Sequence, residues 1–556
     1  MWLRDHALVV GVLLLWCLQA AARSDIPQWT RFAAQFTSAA EYDNPVQDVQ
    51  VEVEFTSARG KSQTVLAFWD GGKVWKVRFS PAETGKWTYR TRCSRAADTG
   101  LNNQAGEFIC VPYPGTNLLY RHGALRVSDN RRYLVHADGT PFFWLSDTAW
   151  NGALKSDARS WASYLSDRAS KGFTAVQFVT TQWLAAAGNA DLRLAYLGRE
   201  RIWIDPVFYQ WMDERIDALN AHGLVAAPVL IWAAHWNKRT LDLNPGTSLP
   251  DDQIVLLVRY LVARYGAHQV IWILAGDSDY RGERAERWKK IGRAVFGAQP
   301  SRLATMHPAG QEWVADEFRH EPWFSFNGYQ SGHGDSDEAM RWLVEGPPSQ
   351  DWKTEPHHPI INLEPNYEGH KGYTHRKPFD AHAVRRAAYC SLLVSPPAGV
   401  SYGGHGIWSW ELKSNEPMNH PGTGVSPPWQ EAIRLPGSTS MKHLKTLFTS
   451  LAWWRLRPAP ELLMEQPGAN DPSRFVAVAK AEDGAWALAY LPAGGSIALR
   501  TEQLANGGLA RWFNPRAGTW HSSVAVTQNP TRFTAPDAED WVLWIGPKPA
   551  PTGARR

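Results

Sequence analysis

The residues best suited to chemistry follow apolar, strand-like runs in the middle of the chain. Asp277 comes directly after the run at 269–276, and Glu364 ends the run at 359–364. Two facing carboxyl groups can hydrolyse a glycosidic bond, because one protonates the leaving oxygen while the other attacks the anomeric carbon or activates water. We therefore take Asp277 and Glu364 as the candidate catalytic pair.

Polar and aromatic side chains that follow the same kind of run are candidates for holding the substrate. A sugar ring needs hydrogen-bond partners for its hydroxyl groups and flat apolar surfaces for its C–H faces, which amides, carboxylates and aromatic rings provide. The candidate substrate-binding residues are Asp147, Trp150, Gln177, His307, Tyr329, Tyr367, His405 and Trp408.

The carboxyl groups also have structural interpretations. Asp277 could cap the helix that follows it, and Asp147 could be purely structural near a helix start. Glu364 precedes a proline, so its structural alternative is an ion pair. Three further carboxyl groups are rivals for the catalytic role, namely Asp279, Glu368 and Glu411.

Eight apolar runs that alternate with helical patterns must position these residues. Continuously apolar runs are typical of parallel strands that are buried on both faces. Eight strand–helix units predict a (β/α)8 or TIM barrel, an α/β fold whose active site lies at the C-terminal ends of the strands. A doubly wound sheet is the alternative, but it would need a glycine-rich phosphate turn that the sequence lacks. The runs lie at 141–146, 174–180, 224–232, 269–276, 303–308, 323–328, 359–364 and 399–404.

The regions on both sides of the predicted barrel have the period of two that is typical of strands. Short alternating strands separated by turns predict an N-terminal antiparallel β-sandwich over 23–116 and a second sandwich over 456–556. A helical pattern at 441–454 closes the barrel, which we place at 117–455.

The first 22 residues have the features of a signal peptide. Arg4 supplies a positive charge, an apolar run follows from 7 to 18, and small residues precede a cleavage site near Ala22. A membrane anchor is the alternative, but the run is too short to span a bilayer comfortably. We therefore predict a secreted or periplasmic protein without a membrane span.

The cysteines and histidines match no metal-binding motif. Cys93 and Cys110 flank a hairpin-like stretch, so they could form a disulfide in an oxidising compartment or be two small buried hydrophobic residues. Cys390 lies in a helical run and is predicted to be core. We predict no metal and no cofactor. The alternative is that three histidines that follow strand-like runs are metal ligands, namely His235, His307 and His405.

Composition bounds the function further. Hydrophobic residues make up 44% and charged residues 20% of the 556 residues, which excludes a disordered chain, a collagen repeat and a coiled coil. The net charge of +4 gives no support to a nucleic-acid or anionic-membrane partner. The 30 tryptophans are an aromatic surplus that fits either core packing or the stacking of sugars.

Four stretches of the predicted barrel resemble the apiosidase-like glycoside hydrolases of glycoside hydrolase family 140. They are YLVHADGTPFFWLSDTAWNGALKSDARSWASYLSDRASKGFTAVQF (133–178), WILAGDSDY (272–280), INLEPNYEGH (361–370) and SYGGHGIWSW (401–410). The resemblance implies a (β/α)8 barrel whose catalytic carboxylates fall on Asp277 and Glu364. This chain has AGD where GGD is commoner, and related retaining barrels carry a glutamate after strand 4, so the aspartate has a shorter reach.

The flanks resemble known modules as well. Residues 25–111 are similar to an uncharacterised β-sandwich that precedes such barrels, and residues from 441 onward are similar to a collagen-binding type of C-terminal domain. We interpret the second module as a sandwich packed on the barrel rather than as a binder of collagen.

Together these observations predict a secreted glycosidase that acts on plant or microbial oligo- or polysaccharide. The resemblance implies release of a pentose such as apiose, and the arrangement of strands 4 and 7 in related barrels implies a retaining mechanism. The small net charge predicts no nucleic-acid partner. Two alternatives are a carbohydrate-binding protein without catalysis and a collagen-binding protein. The sequence leaves open the sugar, the linkage, exo or endo action, retention or inversion, the role of the flanking sandwiches and the oligomeric state.

Overall fold

The computed structural model describes residues 25–297, 303–505, 508–526 and 529–547. The predicted signal peptide at 1–22 and its cleavage site lie outside these residues. None of the helices in the described ranges is long and apolar enough to cross a membrane.

The centre of the molecule is a barrel of eight parallel strands, as the eight apolar runs predict. In spatial order the strands run β5-β4-β3-β2-β1-β8-β7-β6. The sheet then nearly closes on itself, because Ala304 of β5 forms a parallel bridge with Phe324 just before β6. Barrel strands, in chain order, are β1 (Trp144–Thr148), β2 (Ala175–Val179), β3 (Val225–Trp232), β4 (Trp272–Ser278), β5 (Ala304–Pro308), β6 (Asn327–Tyr329), β7 (Ile360–Asn362) and β8 (Pro397–Gly403).

One main helix follows each barrel strand and buries its apolar face against the sheet. Asp157, Asp205, Ser336 and Asp380 cap four of these helices by accepting a backbone N–H at the first turn. The main helices are α1 (Ala158–Ser170), α2 (Pro206–Ala221), α3 (Asp251–Tyr265), α4 (Glu283–Phe296), α5 (Ala315–Phe318), α6 (Asp337–Glu345), α7 (Ala381–Leu393) and α8 (Pro436–Thr449).

The last barrel helix differs in its bounds from the predicted 441–454. Helix α8 begins earlier, because Pro436 occupies the first turn, where a proline has no N–H to leave unsatisfied. It also ends earlier, and Trp453–Arg455 form a separate 3-10 turn.

Short helical segments occupy the connections. The α-helical ones are Pro45–Asp48, Leu118–His122, Gly152–Lys155, Pro245–Ser248, Pro347–Asp351 and Trp429–Ala432. The 3-10 ones, besides Trp453–Arg455, are Leu241–Leu243, Pro460–Leu462, Pro472–Arg474 and Thr501–Gln503.

The N-terminal region forms two packed sheets around a core of aromatic and β-branched side chains. All pairings are antiparallel except that of the first strand, which runs parallel to its neighbour. The larger sheet has the order Asp25–Pro27, Ala105–Val111, Gly85–Cys93, Val51–Ser57, Ser62–Leu66, and the smaller one Phe32–Thr37, Val74–Phe79, Phe68–Trp69. A three-stranded sheet follows, made of Leu125–Val127, Leu134–His136 and Pro141–Phe142.

The possible disulfide of this region does not form. Cys93 and Cys110 are both free and buried. Their strands are antiparallel, and Cys110 pairs with Gly85, so the two cysteines lie at opposite ends of the hairpin. Eight residues of strand correspond to ~27 Å, far beyond the Cα separation that a disulfide allows. The alternative, two small buried hydrophobic residues, is correct, and Cys390 is core as predicted.

The C-terminal region is again built of antiparallel strands. Its main sheet runs Leu456–Pro458, Ala477–Ala481, Ala487–Leu491, Trp541–Gly546, Leu509–Asn514, Thr519–Trp520, and Val524–Ala525 also pairs with Leu509–Asn514. A second sheet pairs Ser496–Leu499 with Thr531–Thr534.

A further hairpin, Tyr196–Leu197 with Trp203–Ile204, belongs to the loop after β2 of the barrel.

Candidate active site

A cavity of about 410 Å³ lies where the C-terminal ends of the barrel strands meet. Each barrel strand, or the loop that follows it, contributes to this cavity. The described residues of its wall include three carboxyl groups but no lysine or arginine. The wall is formed by Trp150, Trp183, Trp232, Trp236, Asp277, Ala309, Gly310, Gln311, Glu312, Gln330, Ser331, Gly332, His333, Gly334, Glu364, Tyr367, His370, Tyr373, Trp408, His420 and Thr423.

Asp277 enters this cavity through an irregularity near the end of β4. Gly276 pairs with His307 and Ser278 pairs with Pro308, so Asp277 is an extra residue that bulges from the ladder. Its φ of +56° is uncommon for a residue with a side chain, and such strain concentrates at functional sites. The Nε2 of Gln330 donates to Oδ1 of Asp277 at 3.0 Å.

The surroundings of Asp277 favour its neutral form. Burial raises the pKa of this carboxyl, and the negative charge of Glu364 raises it further, to about 6. Asp277 can therefore carry a proton at mildly acidic pH, which a general acid must do.

Glu364 lies just beyond β7 with a histidine beside each of its two oxygens. The Nε2–H of His333 donates to Oε1 at 3.0 Å, and Nε2 of His307 lies 3.3 Å from Oε2. Burial by itself would raise the pKa of Glu364, but His307 and His333 favour the charged form and hold that pKa below its usual range. Glu364 is therefore ionised under conditions where Asp277 is protonated.

Aromatic rings form much of the cavity wall. The Trp150 and Trp232 ring centroids are 5.4 Å apart, and Trp183 and Trp232 are 4.3 Å apart. Trp408 donates its Nε1–H to Nδ1 of His405 at 3.1 Å. These rings provide flat apolar surface next to the two carboxyl groups.

Two glycines make room for rings in this wall. A Cβ on Gly276, the residue before Asp277, would lie 2.8 Å from the Trp232 ring, and a Cβ on Gly403 would lie 2.0 Å from Cδ1 of Tyr367. The AGD sequence of this chain, where GGD is commoner, keeps the glycine at position 276. The Tyr367 hydroxyl lies beside Glu364, and burial raises its pKa.

The structure brings five of the ten predicted site residues into the cavity, namely Asp277, Glu364, Trp150, Tyr367 and Trp408. His307 is fully buried beneath the cavity and contacts Glu364. His405 lies behind Trp408: its Nε2–H donates to the carbonyl of Gly424 at 2.9 Å, and burial lowers its pKa to about 4.

Three predicted substrate-binding residues do not line the cavity. Asp147 faces helix α1, where it forms a buried ion pair with Arg168 and accepts a hydrogen bond from Tyr164 at 2.7 Å. Gln177 lies inside the barrel and donates to the carbonyl of Leu363 at 2.9 Å. Tyr329 points between the helices, with its ring 5.9 Å from that of Trp342. Asp147 is therefore a structural residue, which is the alternative that the sequence offered to a role in sugar binding.

The rival carboxyl groups are also engaged elsewhere. Asp279 pairs with Arg281 at 2.9 Å. Glu368 accepts a hydrogen bond from Tyr402 at 2.6 Å and a second one from the backbone of Gly437. Glu411 is not part of the cavity wall. Burial raises the pKa of its carboxyl, although the nearby charge of Lys155 opposes this shift.

Sequence reasoning missed several residues of the cavity. His333, which contacts Glu364, comes from the loop after β6, and His370, Tyr373 and His420 come from later loops. Gln330, which contacts Asp277, directly follows β6 but was not among the predicted site residues. The only signal for His333 was a polar, glycine-rich stretch, Gln-Ser-Gly-His-Gly, directly after a strand-like run.

The described residues contain no group of three or more histidine, cysteine or carboxylate side chains that could hold a metal ion. The three histidines considered as metal ligands have other contacts. His235 lies 2.8 Å from Ser278, His307 contacts Glu364, and His405 accepts a hydrogen bond from Trp408.

A parallel barrel whose aromatic cavity holds one carboxyl group that favours its protonated form and one that favours its ionised form is typical of a glycoside hydrolase. The family model described as "Apiosidase-like, catalytic domain" matches residues 128–455, more than half of the chain. The protein therefore belongs to the apiosidase-like glycoside hydrolase family, as the resemblance predicted.

The flanking regions match family models too. Residues 25–94 match a domain of unknown function (DUF5060), and residues 458–545 match the "Putative collagen-binding domain of a collagenase". A comparison with curated proteins gave no match.

Solved structures share the fold at low sequence identity. A glycoside hydrolase is 22% identical with a TM-score of 0.67, and covers 78% of this chain and 98% of its own. A glycoside hydrolase family 5 protein from Bacteroides vulgatus is 22% identical with a TM-score of 0.66, over 77% of this chain and 94% of its own. A "putative glycoside hydrolase" from the same bacterium is 20% identical with a TM-score of 0.67, over 94% and 100%.

Proposed function

We propose that this glycoside hydrolase releases a pentose such as apiose from plant or microbial polysaccharide, with Glu364 as nucleophile and Asp277 as acid/base. The observation that carries the assignment is the different surroundings of two carboxyl groups in one cavity: a histidine lies beside each oxygen of Glu364, whereas Asp277 accepts a hydrogen bond only from the neutral amide of Gln330. These surroundings raise the pKa of Asp277 and lower that of Glu364. Pairs of carboxyl groups whose environments separate their pKa values divide the acid and the nucleophilic role between them.

The proposed reaction retains the configuration of the sugar. Protonated Asp277 gives its proton to the glycosidic oxygen as that bond breaks, and a Glu364 oxygen bonds to the anomeric carbon. Asp277, now ionised, then takes a proton from water, whose oxygen attacks the same carbon and frees Glu364. The position of the two carboxyl groups at the C-terminal ends of β4 and β7, which face each other across the barrel mouth, supports this assignment.

The cavity wall supports a neutral sugar as the unit bound next to Glu364. Trp150, Trp232 and Trp408 offer apolar faces to C–H groups, and the described wall has no lysine or arginine to pair with a uronic acid. An acidic sugar would instead approach the carboxylate of Glu364 without compensation.

The experiment is a screen of the purified protein on pectic and hemicellulosic glycans, with released monosaccharides identified by chromatography. We expect release of a neutral pentose by the wild-type protein and none by Glu364→Gln. Release of an equal amount by Glu364→Gln would contradict the assignment, and release of only a hexose or a uronic acid would contradict the proposed sugar.

Proton NMR of the first-formed sugar tests the stereochemistry. Retention is expected if Glu364 is the nucleophile. Inversion would change the role of Glu364 to that of a general base, because the second carboxylate then activates water.

Export is part of the proposal and is supported by the leader-like features of residues 1–22. Expression of the whole chain in a bacterial host followed by N-terminal sequencing tests it. We expect the mature protein in the periplasm or the medium with its first residue near position 23. Uncleaved protein in the cytoplasm would contradict it.

A further inference from the structure

Trp236 is the exposed tryptophan of the cavity wall. It has 52% of its surface exposed, whereas Trp150, Trp183, Trp232 and Trp408 are buried to within a few per cent. Its indole therefore presents a large apolar surface at the mouth of the cavity that nothing in the described chain covers.

Contacts to strand β4 fix the position of this indole. The Trp236 ring packs on His235 with ring centroids 4.5 Å apart, and Nδ1 of His235 lies 2.8 Å from Oγ of Ser278. Ser278 directly follows Asp277. Through His235, the Trp236 ring is thus tied to the residue that follows Asp277.

Polar groups stand on the other side of Asp277. Strand β4 lies between β3 and β5, so the loop after β3, which carries Trp236, and the loop after β5 flank the end of β4. The loop after β5 contributes Gln311 and Glu312 to the same wall. Glu312 is ion-paired with Arg281 at 2.6 Å, which holds it in position.

The chemistry of the general acid decides which part of a substrate lies there. Asp277 must be within hydrogen-bond reach of the leaving oxygen, so the sugar attached to that oxygen lies close to Asp277. Its C–H face can stack on the indole, while its hydroxyl groups face the amide of Gln311 and the carboxylate of Glu312.

We infer that Trp236, with Gln311 and Glu312, forms the subsite for the leaving-group sugar, the unit from which the terminal sugar is cleaved. This inference rests on the proposed function, because it takes Asp277 as the acid. The ligand is a neutral sugar ring of the polysaccharide, and its binding energy aligns the scissile bond with Asp277.

The test compares two substrates on Trp236→Ala, namely the glycan identified in the screen and the glycosyl fluoride of the sugar released from it. A fluoride leaving group fills no sugar subsite. We expect the ratio of kcat/KM on the glycan to kcat/KM on the fluoride to fall roughly 10- to 100-fold, the loss that corresponds to removing the apolar contact of one large side chain. Trp236→Tyr, which keeps a ring, should recover most of this ratio.

Trp203→Ala is the matched control, because Trp203 is 49% exposed but is not part of the cavity wall. It should keep the wild-type ratio. An unchanged ratio in Trp236→Ala, or an equal fall in Trp203→Ala, would overturn the inference. A wild-type protein that releases no sugar from any glycan of the screen would overturn the proposed function and the inference together. An unchanged ratio in Trp236→Ala overturns the inference alone, so the two failures are distinguishable.

Discussion

At the scale of single residues, the neighbours of two carboxyl groups give these groups different protonation states. Asp277 and Glu364 are both carboxyl groups, yet burial and the charge of Glu364 favour a proton on Asp277, while two histidines keep Glu364 ionised. The different roles follow from the surroundings of the two side chains, since their intrinsic pKa values are similar.

This division predicts the pH profile of kcat/KM. Asp277 must be protonated to act as the acid, so activity should fall as the pH rises through about 6. Glu364 must be ionised, so the acidic limb should lie below the usual pKa of a glutamate. A profile that rises between pH 6 and pH 8 would contradict the assignment of Asp277.

Substitution of the two carboxyl groups should have different consequences. Glu364→Gln should nearly abolish turnover on every substrate, since the attacking group is gone. Asp277→Asn should lose roughly 10²–10⁴-fold on the glycan, the worth of general-acid help, but much less on a nitrophenyl glycoside, whose leaving group needs little help.

Azide is the control for the second substitution. It should restore activity in Asp277→Asn by attacking the glycosyl-enzyme without a general base. Equal losses on both substrates with no effect of azide would move the acid role to another carboxyl group.

His333 is a positioning residue for Glu364. His333→Ala removes the hydrogen bond to Oε1, so the pKa of Glu364 should rise and the acidic limb of kcat/KM should move to higher pH. His333→Gln, which keeps an N–H donor, should restore part of the shift. A lower rate in His333→Ala with the acidic limb of kcat/KM at its wild-type pH would indicate a purely structural role. The control is His122→Ala, which lies outside the cavity and should leave this limb unchanged.

At the scale of elements, close packing at strand ends places the side chains. The bulge at the end of β4 turns Asp277 into the cavity, and Gly403 at the end of β8 lets the Tyr367 ring lie against the backbone. Both features decide where a side chain of the site lies.

Gly403→Ala tests the second feature. The new methyl would lie 2.0 Å from Tyr367, so the ring must shift from its place beside Glu364. We expect kcat to fall at least tenfold, and crystallography should show Tyr367 displaced. Gly508→Ala is the control, because nothing lies within 4 Å of its added methyl. Wild-type kcat in Gly403→Ala would contradict this account.

At the scale of the whole molecule, buried ion pairs fasten the flanking regions to the barrel. On the N-terminal side, Arg78 meets Asp213 of α2. On the C-terminal side, Arg385 of α7 donates twice to Asp540, at 2.8 Å each, and Tyr490 donates to the same carboxylate at 3.1 Å. A buried guanidinium left without its partner is costly, so each pair also fixes how the regions pack.

Asp540→Ala should therefore destabilise the protein by about 3–5 kcal/mol, because it leaves Arg385 buried and unpaired. Thermal unfolding measures this, and Asp129→Ala is the control, since Asp129 forms an exposed pair with Arg126. Equal effects of the two substitutions would contradict a structural role for the buried pair. The double variant Arg385→Leu, Asp540→Leu should recover much of the stability.

The sequence by itself determined the barrel, its flanking strand-rich regions and the catalytic candidates. Alternation of apolar runs with amphipathic helices is a local pattern, and in a parallel barrel the end of every strand reaches the same rim. Asp277 and Glu364 could therefore be chosen from chain position alone.

Only the tertiary structure decided which neighbours reach the cavity. Successive side chains of a strand point to opposite faces, so a shift of one residue moves a side chain from the barrel interior to the helices. Asp147 faces α1, whereas Thr148 next to it meets Gln177 inside the barrel. His333 and Trp236 reach the cavity from loops, whose path depends on long-range packing and not on any local period.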